Sequence, residues 1–300
     1  MDGKSHTEDI GQKPRGLLPE SPDFLDFVQT GSIFVDKTSK ILDLLNSSPT
    51  RTFFLSRPRR FGKTLLLDTI QNIAKGDRTL FDGMDIGKDG SGYAWETYPV
   101  IRMTFSGFPS DPIKAENLLL RTLDEISIEH NLELPRAETP ADIQFIISKL
   151  SRNHHGSRLP NFPKGSDQEP ANVVFLIDEY DFPLLDSIDD PKKAEGIRKM
   201  LRNFYSALKN SRKMLRFTFI TGITKFSGLS IFSGMNNAMD ITLNPNYAQI
   251  CGFTKDEITS NFTSHIESAL RDMKENGILP LNSTYATFMD ELEFWYNGYS

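Results

Sequence analysis

Apolar and polar positions follow two regimes along the chain, and the switch between them sets out the elements. Unbroken apolar runs, of the kind that form strands buried on both faces, fall at 53–55 and 173–177; further strand candidates fall at 98–105 and 215–221, with shorter ones at 33–35 and 239–243. Between them the apolar residues recur at helical spacing. Ile41, Leu42, Leu44 and Leu45 give one apolar face after a candidate N-cap, Asp36, and further helical patterns span 62–74, 112–130, 140–152 and 191–210. In the last of these, Ile197, Leu201, Phe204 and Leu208 form the inner stripe. Strands alternating with helices require crossover connections, so the pattern predicts an α/β fold with a mostly parallel central sheet flanked by helices.

The ends of the chain read differently. Residues 1–16 are polar with little to bury and are expected to form a disordered tail. Residues 76–95 are turn-rich, and 153–172, with three prolines and two glycines, read as a long exposed loop. Thr254 to Glu257 has the form of a capping box opening a helix to about residue 276, and a last helix is predicted over 285–295. The expected organisation is therefore a tail (1–16), an α/β domain (17–250) and a small C-terminal helical subdomain (251–300).

Candidate chemistry sits where two of the apolar runs end. The stretch T-F-F-L-S-R-P-R-R-F-G-K-T-L-L-L (52–67) reads as strand, loop and helix with a phosphate-binding tip. Gly62 lets backbone N–H groups approach phosphate oxygens, Lys63 reaches the β- and γ-phosphates, and the Thr64 hydroxyl suits Mg²⁺. The fuller pattern G-x-x-x-x-G-K-[ST] is met except at its first position, which holds Arg57. The second run, V-V-F-L-I-D-E-Y-D (173–181), ends in paired acids. Asp178 is placed to hold the Mg²⁺ shell with Thr64, and Glu179 to orient and deprotonate a water attacking the γ-phosphate. Ligands of parallel sheets bind at the carboxyl ends of the strands, where Thr64, Asp178 and Thr221 are expected to converge. The loop residues Arg57, Arg59, Arg60, Phe61, Gly62, Lys63, Thr64 and Leu65 are the candidate nucleotide-binding set. For the three arginines a phosphate clamp, a nucleic-acid contact and an import signal stay open, with a nucleotide or inter-subunit role preferred.

Composition narrows the class. A hydrophobic content of 38% and a charged content of 25% are ordinary for a globular chain of 300 residues, and the net charge of −6 excludes a surface that is basic throughout. The single cysteine, Cys251, cannot form an internal disulfide and reads as a small buried hydrophobe in a reducing compartment. With no apolar stretch of membrane-spanning length and no secretory signal pattern, the expectation is a cytoplasmic protein without membrane association. Structural use is the expectation for several other features. His154 and His155 read as solvated surface, Asp181 as a solvated helix cap, and Phe294, Trp295 and Tyr296 as packing residues of a terminal helix. For Phe232, Asn236 and Asn237, a loop beside the site and plain turn formation both stay open.

Several of these stretches together resemble the AAA-ATPase-like proteins of the phosphate-loop superfamily, many of which precede a nuclease domain of the PD-(D/E)XK type. The resemblance lies in F-V-D-K-T (34–38), R-P-R-R-F-G-K-T (57–64), L-I-D-E-Y-D (176–181), T-G-I-T-K-F-S (221–227), S-I-F-S-G-M-N-N (230–237), C-G-F-T (251–254) and W-Y-N-G-Y (295–299). It implies that Arg57 belongs to the family's own variant loop, and that ATP and Mg²⁺ are bound by Lys63, Thr64, Asp178 and Glu179. It further implies a γ-phosphate sensor at Thr221 and a basic finger or sensor at Lys225, where lysine replaces the family's more usual arginine. The sequence stops after W-Y-N-G-Y, so no nuclease activity is expected of it. Two functions follow: a Mg²⁺-dependent ATPase that drives a conformational change, and a nucleotide-gated scaffold with negligible hydrolysis. ATP is the expected ligand, while a protein or nucleic-acid partner and a homo-oligomer stay open.

Overall fold

The computed structural model describes residues 23–46, 52–158, 172–225 and 238–296. The expected tail, most of the expected loop after residue 158, and Phe232, Asn236 and Asn237 lie outside the described residues. In chain order the elements are α1 (Phe24–Thr30), α2 (Thr38–Asn46), β1 (Thr52–Ser56), α3 (Lys63–Ala74), β2 (Val100–Thr104), α4 (Pro112–Glu129) and α5 (Ile143–Arg158). They continue with β3 (Val173–Asp178), α6 (Phe182–Asp186), α7 (Pro191–Asn210), β4 (Leu215–Gly222), β5 (Met239–Asp240), α8 (Lys255–Glu275) and α9 (Tyr285–Tyr296). They divide into a larger compact unit, Asp36–Gly252, and a smaller one made of the segments on either side of it.

The larger unit is built on a five-stranded sheet in the order β2-β3-β4-β1-β5, with every neighbouring pair parallel. β1 and β3 are buried along their whole length, as expected for unbroken apolar runs covered on both faces. Alternation then sorts the side chains. Phe54, Phe175, Ile177 and Ile220 join one core with Leu119 and Leu123 of α4, Ile147 of α5 and Ile197, Leu201 and Phe204 of α7. On the other face Val174 and Phe217 line a small cavity with Ile70 and Ile73 of α3 and the half-buried Leu45 of α2. Each fully buried side chain among them contributes about 1.5–3 kcal/mol of transfer free energy.

Local signals set the helix starts. Asp111 accepts from the Lys114 N–H ahead of α4, and Asp190 from the N–H groups of Lys192 and Lys193 ahead of α7, each followed by proline at the first helical position. Asp36 does accept from the Thr38 N–H at 2.8 Å, and its second oxygen accepts from the Asp85 N–H at 2.7 Å, so it ties α2 to the turn-rich segment as well.

Four expectations are corrected. Residues 33–35 form no strand; in the smaller unit the Phe34 ring packs edge-on against Phe24 and Phe27 of α1, so its apolar character serves packing against a helix. α5 runs to Arg158, through residues read as loop, because no proline or glycine before Gly156 interrupts it. Asp181 is fully buried instead of solvated. Phe294 and Trp295 are 80% and 72% exposed and stack edge-on against each other instead of packing inward. The smaller unit otherwise has the predicted helices, with Thr254 and Glu257 closing the capping box of α8.

Candidate functional site

The site forms where β1, β4 and β3 end side by side. β1 leaves the sheet at Ser56, and the Arg57 N–H still donates to Gly222 O of β4 at 3.1 Å. The Arg57 side chain turns away from the loop: its guanidinium donates to the carbonyls of Ser56 (3.0 Å), Thr242 (2.7 Å) and Ala248 (3.5 Å). Arg57, expected to bind nucleotide, thus instead ties the start of the loop to the segment after β5 through its guanidinium. The chain doubles back through two left-handed residues, Arg60 (φ 67°) and Gly62 (φ 84°), and α3 begins at Lys63. At Gly62 the positive φ, not lack of space, demands glycine.

The Lys63 side chain folds back under the loop. Its Nζ donates to the carbonyls of Arg57 (3.0 Å) and Pro58 (2.9 Å). Burial lowers its pKa from the ordinary lysine value, with the Asp178 carboxylate first among the groups that pull it back up. Arg59 and Arg60 are exposed at the tip and form no hydrogen bond or ion pair among the described residues. The Phe61 carbonyl accepts from the Gly252 N–H at 3.0 Å, and Leu65 lies half-buried in the first turn of α3.

One carboxylate gathers the three strand ends. Asp178, 4% exposed, accepts the Thr64 hydroxyl on Oδ2 at 2.7 Å and the Thr221 hydroxyl on Oδ1 at 2.6 Å, and Oδ1 also accepts the Glu179 N–H at 3.0 Å. Because β4 lies between β1 and β3 in the sheet, Thr221 is placed to bridge the loop strand and the acidic strand. Glu179 follows in a left-handed conformation (φ 50°), half-buried, with no hydrogen bond or ion pair for its carboxylate among the described residues. Such backbone costs roughly 1–3 kcal/mol and persists where the surroundings over-determine it. Lys225 is not brought to this cluster; its Nζ pairs with Asp240 Oδ2 at 2.5 Å.

Two residues beside the acidic pair do work that the sequence reading did not assign. Asp181 Oδ2 accepts the N–H groups of Ile223 (2.9 Å) and Thr224 (2.7 Å) and the Thr224 hydroxyl (2.7 Å), while the Tyr180 hydroxyl donates to Thr224 O at 2.9 Å. With the Ser56 hydroxyl donating to Ile223 O at 2.7 Å, residues 221–224 are stitched to both the loop strand and the acidic strand. The available signal was spacing: Asp178 and Asp181, three apart, flank the strand-to-helix turn. Arg102 of β2 adds a further brace, donating to Asp68 (2.8 Å) and Gln71 (3.2 Å) of α3 and to Thr64 O (3.4 Å).

The donor set suits a hard cation. A hydroxyl and a carboxylate oxygen stand 2.7 Å apart, and among the described residues no group of three or more His, Cys, Asp or Glu is placed to hold a metal. The Thr64 hydroxyl and Asp178 carboxylate are oxygen donors of the kind Mg²⁺ takes when water and phosphate complete its shell. No helix among the described residues is long and apolar enough to cross a membrane.

A curated protein of Azotobacter chroococcum mcd 1, named as the uncharacterized protein in the vnfD 5' region, is 33% identical over 268 residues. The aligned part is 89% of this chain and 45% of that protein, so the chain spans about half the length of the relative. No solved structure matches. The family described as "Predicted AAA-ATPase" matches over residues 21–232, which takes in the loop, the acidic strand and β4. The chain belongs to this AAA-ATPase-like family.

Proposed function

We propose that the chain binds ATP with Mg²⁺ at the 57–64 loop, hydrolyses it, and changes conformation with nucleotide state. The observation that carries the reading is the shared carboxylate: Asp178 is bonded at once by Thr64 of the loop and Thr221 of β4, with Lys63 next to Thr64 and Glu179 next to Asp178 in the chain. The triphosphate lies along the open N–H groups at the start of α3, where the helix dipole favours an anion. Lys63 exchanges its two loop carbonyls for β- and γ-phosphate oxygens. Thr64 and Asp178 hold the Mg²⁺, which when bound neutralises charge on the phosphoryl oxygens. Glu179 orients a water in line with the γ-phosphorus and takes its proton. The new oxygen–phosphorus bond forms as the bond to the β,γ-bridging oxygen breaks, and ADP leaves with that electron pair. Thr221 holds Asp178 in register and senses the γ-phosphate. Lys225, held by Asp240, is assigned to anchoring the chain after β4. Arg59 and Arg60 remain available to the polyphosphate or to a neighbouring subunit.

The Phe61–Gly252 hydrogen bond supports a route for the conformational change, because it joins the loop to the last residue of the larger unit. The test is Mg²⁺-dependent phosphate release from ATP, with binding measured in parallel. Lys63→Ala is expected to lose binding and turnover together. Glu179→Gln is expected to keep binding and lose turnover by about 100-fold or more. Lys63-dependent binding with no turnover in the parent chain would leave a nucleotide-gated scaffold, and no binding would overturn both readings.

A further inference from the structure

α7 and the turn after it concentrate positive charge in a molecule that is otherwise acidic. Residues 192–213 hold eight lysines and arginines against one carboxylate, Glu195, a local balance of +7 in a chain of net charge −6. The rest of the chain therefore carries −13. The apolar side of α7 is used internally, with Ile197, Leu201, Phe204 and Leu208 buried in the core shared with α4 and α5. Its outer side carries Lys192, Lys199, Arg202 and Lys209, at successive offsets of seven, three and seven residues. At 100° per residue these fall within roughly 100° of arc, a stripe about 26 Å long.

The charge is not neutralised locally. Glu195 is already shared by Arg198 (3.5 Å) and Arg202 (3.9 Å), and Lys193 faces Asp190 (3.8 Å). Lys192, Lys199, Lys209, Arg212 and Lys213 form no ion pair among the described residues. Between them the outer face shows Asn203 and Ser206, neutral groups able to donate to anionic oxygens.

We propose that the outer face of α7, with the Arg212–Lys213 turn, binds the phosphodiester backbone of a nucleic-acid duplex without reading its sequence. Three features select this occupant. The stripe offers cations over a length comparable with most of a duplex turn, where phosphate charges recur every ~1.7 Å. It has no exposed aromatic side chain on which unpaired bases could stack, since Phe204 and Tyr205 point inward and are fully buried, and such platforms are what single strands require. It also lacks an exposed apolar anchor of the kind that protein partners and membrane surfaces need, because the helix's own apolar side is committed to the core. The proposal is independent of nucleotide turnover.

Fluorescence anisotropy of the full chain with a labelled random-sequence duplex of about 30 base pairs tests it. With four to five phosphate contacts, affinity is expected to fall by about 100- to 500-fold between 50 and 200 mM salt. The triple variant Lys199→Gln/Lys209→Gln/Lys213→Gln is expected to bind at least about tenfold more weakly with a shallower salt slope. A control with the same charge change elsewhere, Lys75→Gln/Lys88→Gln/Lys255→Gln, is expected to bind like the parent. Absence of duplex binding at low salt, equal binding by the triple variant, equal losses in the control, or preference for a single strand or for anionic vesicles over the duplex would each overturn the assignment.

Discussion

Thr221 is the residue on which the geometry of the site turns, because its hydroxyl holds the same carboxylate that Thr64 holds from the other side. Thr221→Val keeps the side chain's shape and removes the donor. A hydrogen bond to a charged group contributes about 1.5–3 kcal/mol, so the variant should be less stable by up to that amount in urea unfolding. If Thr221 positions Asp178 and senses the γ-phosphate, turnover should fall by at least ~10-fold, the equivalent of 1.4 kcal/mol, while ATP affinity stays within about threefold. Equal losses in binding and turnover would assign it to binding alone. Cys251 offers a second test at this scale. Burial pushes its thiol from 9.0 up to about 12, so near pH 9 the native chain holds roughly one-thousandth of its thiol as thiolate, where an exposed cysteine holds about half. Iodoacetamide should therefore modify the native chain at least ~100-fold more slowly than the urea-unfolded chain, read by mass spectrometry. The linkage has a definite sign. Above pH 9 the unfolded chain releases this proton and the folded chain keeps it, so the stability the buried thiol contributes is lost as pH rises from 9.0 towards about 12.

Among the elements, the junction between the ends of β3 and β4 leaves little room for an added side chain. A Cβ added at Gly222, the last residue of β4, would lie 2.4 Å from the Tyr180 ring and 2.8 Å from Asp181 Oδ1. Gly222→Ala should therefore destabilise the chain by about 1–3 kcal/mol, the cost of overpacking. Paired with Tyr180→Ala in a double-mutant cycle, much of that loss should be recovered. An additive cycle would show that the clash lies elsewhere. This junction was only half legible in the sequence. β1 and β3 declared themselves as apolar runs, since a strand covered on both faces tolerates little else, and Gly62-Lys63-Thr64 and Asp178-Glu179 follow from the chemistry that needs those residue types in that order. The side chains that lock the strands together did not. Asp181 reads as a polar residue at a helix start, and only the approach of residues 223–224 turns it into a buried acceptor. Arg57 similarly reads as a cation for phosphate, whereas its guanidinium is taken up by the carbonyls of Ser56, Thr242 and Ala248, two of them supplied by chain some 190 positions away. Partners at that separation leave no local pattern to read. α1 was missed for another reason: seven residues with two apolar anchors are too few to show a helical period.

At the scale of the whole molecule, everything assigned to the nucleotide lies inside the larger unit, and that unit ends at the residue bonded to the loop. Gly252 has φ 76°, and its N–H reaches the Phe61 carbonyl in the middle of the turn that would rearrange around phosphate. Two consequences follow for a chain given Mg²⁺ and a non-hydrolysable ATP analogue. At about 100 times the Kd, binding should stabilise the larger unit by about 2.7 kcal/mol, an effect that Lys63→Ala should abolish. Hydrogen exchange should slow first at 57–68, 178–181 and 221–224, the segments joined through Asp178 and Asp181. If nucleotide state also passes through the Phe61–Gly252 bond, exchange at 251–258, covering Gly252 and the capped start of α8, should change in the same experiment and should not change in Lys63→Ala. Protection that stops at the first three segments would confine the nucleotide's effect to the larger unit. The proposed conformational change would then be wrong, even for a chain that hydrolyses ATP.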